Sequence, residues 1–530
     1  MSLNQKEQVE VFRDLESSLQ ISDLRVFDFN YWPVIRFAIN YHRKWGRPYI
    51  DKPLPEPKQP EAFYQRLCMN ALRRSDRSVG KKLVYYADSL SKRFAALPPF
   101  SSGDREELVQ ISQQLPALPR TDIVMWRRRQ SVKGKKAKMN AEAFLTSLYK
   151  LAGPQFDMRF VGRGSPELSV TLIDVMLPDL NIASRRRLLE PDTVSDLISR
   201  QRIRSTVQLV NNQLSKLGTG IILSDFDILL RIGIVRSEIM VAKAWLAAMQ
   251  PKVILMSSYG GSYYLCAAAR QLGITTVDIQ HGGMHRHHAM AANWFNVPKG
   301  GYELLPDYFW CWTEQSASYV QFEKEQHHKA IIGGNPVLSS LIDNLSEAHK
   351  SYLGELVQDD RCVVVVALQY GKDELVPQHI LEAWASTKDR YLWVFRLHPT
   401  AHHRVAELSD LIGVSEDVLL AAAEVSLPYL LSITNALLTK SSTIVHESIA
   451  FDCAPAVWSD KGRAIFDDLV ENGDVIEVLD SEAVVRFLRG VASEKKTSMN
   501  PKSSAITKSE LCIDALRAVL QLPPRSQSAN

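Results

Sequence analysis

The sequence predicts an α/β protein whose two domains are each built on a parallel sheet covered by helices on both faces. Strand and helix patterns alternate regularly between positions 234 and 325, and the alternation begins again at the apolar run 363–368. Strands that alternate with helices of about ten or more residues are typical of doubly wound sheets. The 530 residues allow two to four domains at roughly 150 residues each, and two large domains with an extension fit this length.

The first 120 residues have apolar positions at helical spacing, separated by proline-rich connectors. They predict a helical extension, 1–120, packed on a first domain that covers 121–345. A first strand is predicted at 121–126, and it leads into a basic run that starts at Arg127. The further elements predicted in this domain are helices at 234–249, 262–272 and 315–325 and strands at 251–256, 275–280 and 307–313.

The second domain is predicted to cover 346–500. Its predicted strands are 363–368, 391–397, 418–421, 436–439 and 454–458, with helices between them. The last segment, 501–530, is predicted to hold one helix at 509–520 and a frayed tail.

The composition excludes several classes of protein. A content of 45% hydrophobic and 23% charged residues is ordinary for a folded protein, and a net charge of +4 is too small to indicate a nucleic-acid partner. The six cysteines have no CxxC spacing, which indicates a reducing compartment. The chain starts with a polar segment, and its apolar runs are far shorter than the roughly 20 residues that span a bilayer. We therefore expect a cytoplasmic protein, with the inner face of the cytoplasmic membrane as a further location.

Two motifs in the second domain directly follow predicted strands. FRLHPT ends a strand with His398 and Pro399, and TKSSTIVHES places hydroxyl groups where a helix begins. Hydroxyls and free main-chain amides at such a position bind phosphate, and an acid one to two turns further along can accept hydrogen bonds from ribose. The alternative is structural: Ser441 as a helix cap, the prolines as turns and His398 as a strand-end residue. The predicted donor-binding residues are His398, Pro399, Ser441, Ser442, Thr443, Glu447 and Gln369.

A glycine-rich turn in the first domain, SSYGGS, follows the predicted strand 251–256. Ser258, Gly260 and Gly261 lie where a backbone without side chains can approach a ligand closely, although a tight turn alone would explain the glycines equally well. The next strand ends in Gln280, His281 and Gly282. We assign these residues and the glycine-rich turn to one wall of a ligand-binding cleft, opposite the motifs of the second domain.

His281 is the predicted catalytic base, because a histidine titrates in the range needed to accept a proton from a hydroxyl group. A purely structural histidine at this strand end is the alternative. Asp225 and Asp227 in the segment LSDFD are the competing acidic bases, with helix capping as their structural interpretation.

His285, His287 and His288 follow His281 closely, but glycines interrupt helical spacing and no cysteine or glutamate joins them at ligand spacing. We predict neither a metal site nor a cofactor.

The stretch NYWPVIRFAINYHRK has two interpretations. It fits a helix packed on the body of the protein, with Trp32 and Arg36 near its start. It also fits a membrane-surface face, because Arg43, Lys44 and the following Arg47 lie beside Tyr41 and Trp45.

Together the HP and SS motifs resemble those of bacterial GT-B glycosyltransferases and polymer transferases of surface polysaccharide synthesis. They are similar to the motifs of sialyltransferases, Kdo transferases and CDP-glycerol glycerophosphotransferases. The resemblance implies a GT-B fold, a cytidine nucleotide donor, and contact of His398, Ser441 and Ser442 with the donor phosphate. It also implies a base role for the histidine at the position of His281.

The expected function is transfer of a sugar from a nucleotide-activated donor, preferably CMP-linked Kdo or a nonulosonic acid, to a surface polysaccharide or lipid-linked glycan. The expected partners are therefore this donor and a glycan acceptor, with membrane-surface contact as the further interpretation above. A non-hydrolysing nucleotide-sugar 2-epimerase and a catalytically degenerate GT-B scaffold remain the alternatives.

Overall fold

The computed structural model describes residues 5–26, 28–42, 118–127, 140–163, 175–177, 194–320, 322, 327–342, 346–369, 374–491, 496 and 505–522. The basic run after Arg127, the frayed tail and the cations Arg43, Lys44 and Arg47 lie outside these residues.

The elements up to the end of the first sheet are helices α1 to α7 and strands β1 to β9. The helices are Gln5–Ser18, Trp32–Asn40, Asn140–Ala152, Val194–Lys216, Asp225–Met249, Tyr263–Gln271 and Glu314–Ser318. The strands are Arg25–Val26, Phe29–Asn30, Ile123–Arg127, Met158–Arg163, Val175–Leu177, Val253–Ser257, Thr275–Ile279, Tyr308–Cys311 and Lys329–Ile332.

The remaining elements are helices α8 to α18 and strands β10 to β14. The helices are Pro336–Ile342, Glu347–Gln358, Gln378–Thr387, Val405–Ile412, Glu416–Glu424, Leu427–Ile433, Ile444–Ala450, Asp460–Ile465, Asp467–Asn472, Ser481–Val491 and Ser509–Gln521. The strands are Cys362–Ala367, Tyr391–Arg396, Thr434–Thr439, Ala454–Val457 and Ile476–Glu477.

Each domain contains one parallel sheet. The first sheet has the strand order β5-β4-β3-β6-β7-β8-β9, and the second has the order β11-β10-β12-β13-β14. The order reverses between β3 and β6 in the first sheet and between β10 and β12 in the second, and doubly wound sheets bind ligands outside the strand ends at these positions. The predicted α/β class with two Rossmann-like, doubly wound domains is confirmed. The described part of the predicted helical extension contains α1 and α2 but also the short strands β1 and β2, and residues 43–117 of it lie outside the described residues. The predicted domain bounds stay predictions.

Burial explains why the strands form where they do. All six residues of β10 are buried, as expected for a strand covered by helices on both faces, and its four consecutive valines favour extended backbone. On one face of the first sheet the core includes α1 and α2, so the extension completes that core. On the other face a second cluster continues into the second domain through α18.

Two of the predicted elements differ from the structure. Residues 418–421 form part of helix α12 rather than a strand, because Val418 is exposed while Leu419, Ala422 and Ala423 are buried, which is helical spacing. The predicted helix 315–325 is much shorter, since α7 ends at Ser318. The structure also adds strands β4, β5, β9 and β14, which lacked a strong apolar pattern.

Candidate active site

Three predicted donor-binding residues follow three neighbouring strands of the second sheet. Gln369 comes after β10, His398 after β11 and Ser441 after β12, and the parallel strands place all three at one edge of the sheet. The Ser441 hydroxyl donates a hydrogen bond to Oε1 of Gln369 at 3.0 Å. This bond joins β10 to β12 where the strand order reverses, and it fixes the direction of both side chains.

The structural alternative for Ser441, a helix cap, is wrong. Helix α14 has Thr443 as its N-cap residue, without a capping hydrogen bond from its side chain. The hydroxyl of Ser441 is therefore not used to begin the helix. Ser442 and Thr443 are half-buried beside it, so hydroxyl groups line this strand end.

His398 lies half-buried beyond β11, and Pro399 begins a short 3-10 turn, Pro399–Arg404. Burial lowers the pKa of His398, and the neighbouring His402 lowers it further. The imidazole is thus neutral at neutral pH in the free protein. A bound phosphate would favour the protonated ring, because an opposite charge stabilises the imidazolium.

Glu447 lies within α14 and retains 7% of its accessible surface. Its Oε2 atom is buried and has no hydrogen-bond partner among the described residues, and burial raises the pKa of the carboxyl to about 8. A buried carboxyl oxygen that forms no hydrogen bond lowers the stability of the folded protein. Such groups are often found where a ligand binds.

His281 follows the end of β7 in the first sheet. Its side chain is exposed, yet surrounding protein lowers its pKa through desolvation, partly offset by a hydrogen bond to the main-chain carbonyl of Ile279. A side chain that water reaches but that protein atoms surround is typical of a cleft wall. The ring is neutral at neutral pH, as a proton acceptor must be. A Cβ added to Gly282 would meet no atom of the described residues within 4 Å, so the next position faces away from them.

The segment after His281 meets the second domain. A Cβ added to Gly283 would lie 2.9 Å from Cγ2 of Thr443, so only glycine allows this approach without a shift of the threonine side chain. This contact brings the predicted base segment against the predicted phosphate segment. The structure thus combines two motifs that are about 160 positions apart in the sequence.

The turn after β6 is held by an acid from β7. Ser258 has φ +71°, a left-handed conformation that is unfavourable for a residue with a side chain. Oδ1 of Asp278 accepts the Tyr259 amide at 2.9 Å, and the Ser258 amide also binds this carboxyl. Burial raises the Asp278 pKa to about 8. The carboxyl of Asp278 therefore holds this turn in place.

Gly260 and Gln280 have packing roles. A Cβ on Gly260 would lie 2.6 Å from Cε of Met290, and Gly261 ends the same 3-10 turn, Tyr259–Gly261. The Gln280 amide accepts from the Trp312 main chain at 2.9 Å and donates to the Gly282 carbonyl at 3.0 Å. These contacts shape the strand end that carries His281. Ligand contact by Gly260, Gly261 and Gln280 stays a prediction.

Asp225 and Asp227 lie in the first turn of α5. The Ser224 hydroxyl accepts the Asp227 amide at 3.2 Å and caps the helix. Asp225 is 41% exposed and lies 3.5 Å from the Arg204 guanidinium. Acids in a first helical turn stabilise the helix dipole, so this position has a sufficient structural explanation, and their catalytic role stays a prediction.

The histidines after His281 do not converge on a metal. Nε2 of His287 lies 2.7 Å from Oδ2 of Asp467 in the second domain. In the part of the chain that the structure describes, no group of three or more His, Cys, Asp or Glu side chains is arranged to hold a metal ion.

The membrane-surface interpretation rests on Arg43, Lys44 and Arg47, which lie outside the described residues, and it stays a prediction. Trp32 and Arg36, where the stretch begins, fit the other interpretation, a helix packed on the body of the protein. Both side chains are fully buried, and Arg36 forms an ion pair with the buried Glu16. Its guanidinium lies between the rings of Phe12 and Trp294, at 4.3 and 4.1 Å from their centroids. Among the described residues, no helix has both the length and the apolar character needed to cross a bilayer.

The sequence did not identify three residues at the domain interface, namely Gly283, Arg286 and Asp467. The doubled glycine after His281 was the available signal for Gly283. Nothing local distinguishes Arg286 or Asp467, because each gains its role from a partner about 180 positions away.

No family model and no curated protein matches the chain. Among solved structures it is similar to UDP-GlcNAc 2-epimerase from Methanocaldococcus jannaschii, with 12% identity over 75% of this chain and 99% of that one and a TM-score of 0.41. The epimerase from Neisseria meningitidis bound to UDP-GlcNAc shares 14% identity over 75% and 99%, with a TM-score of 0.41. The wall teichoic acid polymerase TagF shares 11% over 80% and 94%, with a TM-score of 0.37. Similarity at this level of identity says nothing about function. The architecture described above is inferred from the topology of the two sheets alone.

Proposed function

We propose that the protein is a GT-B glycosyltransferase that moves a sugar from a nucleotide-activated donor to a bacterial surface glycan or a lipid-linked glycan. The preferred donor is a CMP-linked sugar such as Kdo or a nonulosonic acid. The observation that carries the proposal is the contact between the segment after His281 and the hydroxyl-rich segment 441–443. A base and a phosphate site on opposite walls of one cleft are what group transfer requires.

The donor half of the proposal assigns the phosphate to Ser441, Ser442 and His398. The serines follow β12 and His398 follows β11, which lie on either side of β10 in the sheet. The strand order reverses between β10 and β12, which is the usual ligand position of such sheets. Glu447 would accept hydrogen bonds from the ribose hydroxyls, which would give its buried Oε2 atom a partner.

In the proposed reaction the acceptor hydroxyl oxygen bonds to the anomeric carbon of the donor sugar, and the bond from that carbon to the phosphate oxygen breaks. His281 takes the proton of the hydroxyl, and the leaving phosphate keeps the bonding electrons. Hydroxyl donors and a protonated His398 would stabilise the charge that develops on the phosphate.

A thermal-shift series with CMP, CDP, UMP, UDP and GDP tests the proposal. We expect the largest stabilisation with a cytidine nucleotide, about 2.7 kcal/mol at 100 times its Kd. Stabilisation by uridine nucleotides with conversion of a UDP-sugar in the absence of an acceptor would indicate an epimerase instead. No stabilisation by any nucleotide would indicate a scaffold.

Ser441→Ala is expected to weaken nucleotide binding by about 10- to 100-fold, because a hydrogen bond to a charged group contributes ~1.5–3 kcal/mol. Titration calorimetry measures the affinity. Ser386→Ala is the control, since this exposed serine donates to the Ala383 carbonyl near the end of α10. Equal affinity in both variants would contradict the assignment of Ser441 to the phosphate.

The pH dependence of nucleotide binding tests Glu447. Its raised pKa keeps the carboxyl protonated below about pH 8, whereas an ionised carboxylate is the better acceptor for hydroxyl groups. Affinity should therefore increase as the pH rises from 6.5 to 8.5, with proton release on binding. Glu447→Gln should weaken binding and remove this increase. A pH profile that is identical in both proteins would exclude Glu447 from the site.

A further inference from the structure

Charged side chains join the two domains beside the proposed cleft. Arg286 donates to both oxygens of Asp467, at 2.8 and 2.6 Å, and to Glu471 at 2.9 Å. His287 lies 2.7 Å from the same Asp467 carboxylate, and the Tyr319 hydroxyl donates to Asp468. We call these five contacts, from the segment 286–287 and Tyr319 to helix α16, the interdomain latch.

The opposite side of the domain junction is apolar. Helix α18 returns from the second domain and packs on α3 of the first. Leu148 of α3 and Leu516 and Val519 of α18 are buried in one cluster that includes residues of both domains. Separating these surfaces would expose apolar area, which is unfavourable at roughly 25 cal/mol per Å².

The latch separates at less cost, because its central ion pair, Arg286 with Asp467, is partly accessible to water. The side chains of Arg286 and Asp467 retain 32% and 17% of their accessible surface. Charged groups of this kind regain hydration when they part. Burial raises the pKa of Asp467, but hydrogen bonds from Arg286 and His287 outweigh this effect and hold the pKa below its usual range. The carboxylate is thus charged at neutral pH. If the two domains separate, we expect the gap to open at the latch, while the apolar contact between α3 and α18 stays closed.

The latch lies only five positions after His281. Before the segment 283–288, the side chain of Gln280 holds the chain after β7 through hydrogen bonds with the main chain of Trp312 and Gly282. At the far end, the Arg36 guanidinium donates to the carbonyls of Ala292 and Asn293 at 3.2 and 2.9 Å. Between these anchors, the segment 283–288 is fastened to the second domain.

We infer that Arg286 and Asp467 are positioning residues, which place His281 against the donor site by fastening the segment 283–288 to α16. The inference rests on the proposed function of this site. In the docked arrangement the base lies opposite the phosphate segment, and loss of the latch lets the domains separate and moves the base away. Donor binding itself uses residues of the second domain alone, so it does not need the latch.

A double-mutant cycle with Arg286→Ala, Asp467→Ala and the double variant tests the inference. We expect kcat to fall by about 10- to 100-fold in each single variant, because a displacement of about 1 Å can have such an effect. The nucleotide Kd should change less than about two-fold. The double variant should be no slower than the single ones, since residues in one contact are not additive. Arg286→Lys should be intermediate, because lysine keeps the charge but not the two-pronged geometry.

Glu482→Gln is the control, since Glu482 pairs with Arg486 on the surface of α17, outside the latch, and its side chain is 87% exposed. It should keep kcat within about two-fold of wild type. Wild-type kcat in the folded Arg286 and Asp467 variants, or losses that add in the double variant, would overturn the inference.

Small-angle X-ray scattering separates this inference from the proposed function. The latch variants should have a larger radius of gyration than wild type without any ligand. If wild type transfers no sugar, the proposed function fails, and the scattering comparison alone decides whether the latch holds the domains together. Identical scattering in that case would also overturn the latch.

Discussion

His281→Ala is expected to lower kcat by about 10²- to 10⁴-fold while leaving donor binding nearly unchanged. The side chain follows β7 in the first domain, whereas the proposed donor residues follow strands of the second. A base acts on the acceptor proton, so the defect should appear in kcat more than in the donor KM. Steady-state kinetics together with calorimetry of nucleotide binding measure the two effects separately.

The competing acids provide the comparison for this prediction. Asp225→Ala and Asp227→Ala should remain within a few-fold of wild type if their role is limited to the start of α5. An active His281 variant together with an inactive Asp225 or Asp227 variant would transfer the base role to that acid. Loss of donor binding in a folded His281 variant would make this histidine a phosphate ligand.

Arg36→Met is expected to destabilise the protein by about 3 to 5 kcal/mol, because it leaves the Glu16 carboxyl without its charge partner in the core. Burial raises the pKa of Glu16. The charge of Arg36 and the hydrogen bonds from Trp32 and the Phe295 amide lower this pKa, but they only partly offset the effect of burial. The substitution also removes the donors to the carbonyls of Ala292 and Asn293. Urea unfolding of wild type and variant measures the loss.

Arg13→Met is the matched control, since Arg13 pairs with Glu10 on the surface of α1 and both side chains are about half exposed. Such a pair contributes about 0 to 1 kcal/mol. Adding Glu16→Gln to Arg36→Met should recover part of the lost stability, because the unpaired acid is removed. A loss below about 1 kcal/mol for Arg36→Met would show that the buried pair does not stabilise the extension on the first domain.

Local pattern was sufficient for the strands buried on both faces. The predicted strands at 275–280 and 363–368 match β7 and β10 to within a residue, because runs of β-branched residues leave few alternatives. Strand β9 was missed because its pattern, with exposed Lys329 and Ile332, lacks an apolar run. Residues 418–421 were assigned to a strand because four apolar residues fit either periodicity, and their packing decided for the helix.

The position of the predicted site followed from the same local signals. His281, Gln369, His398 and Ser441 were identified because each directly follows a strand, and parallel strands end at one edge of their sheet. What each side chain contacts was not available from spacing. The hydrogen bond of Gln280 with Trp312 and the ion pair of Arg36 with Glu16 both join residues that are far apart in the sequence.

The sequence by itself determined the fold class, the order of the two sheets along the chain and the strand ends at which polar residues gather, because apolar periodicity and turn residues act over a few positions. Only the tertiary structure decided how the two strand-end edges meet. The contact of Gly283 with Thr443 and the pairing of Arg286 with Asp467 join segments that are 160 and 181 positions apart. Such contacts depend on the packing of whole domains and on the desolvation of each charge, and neither quantity is encoded in a local pattern.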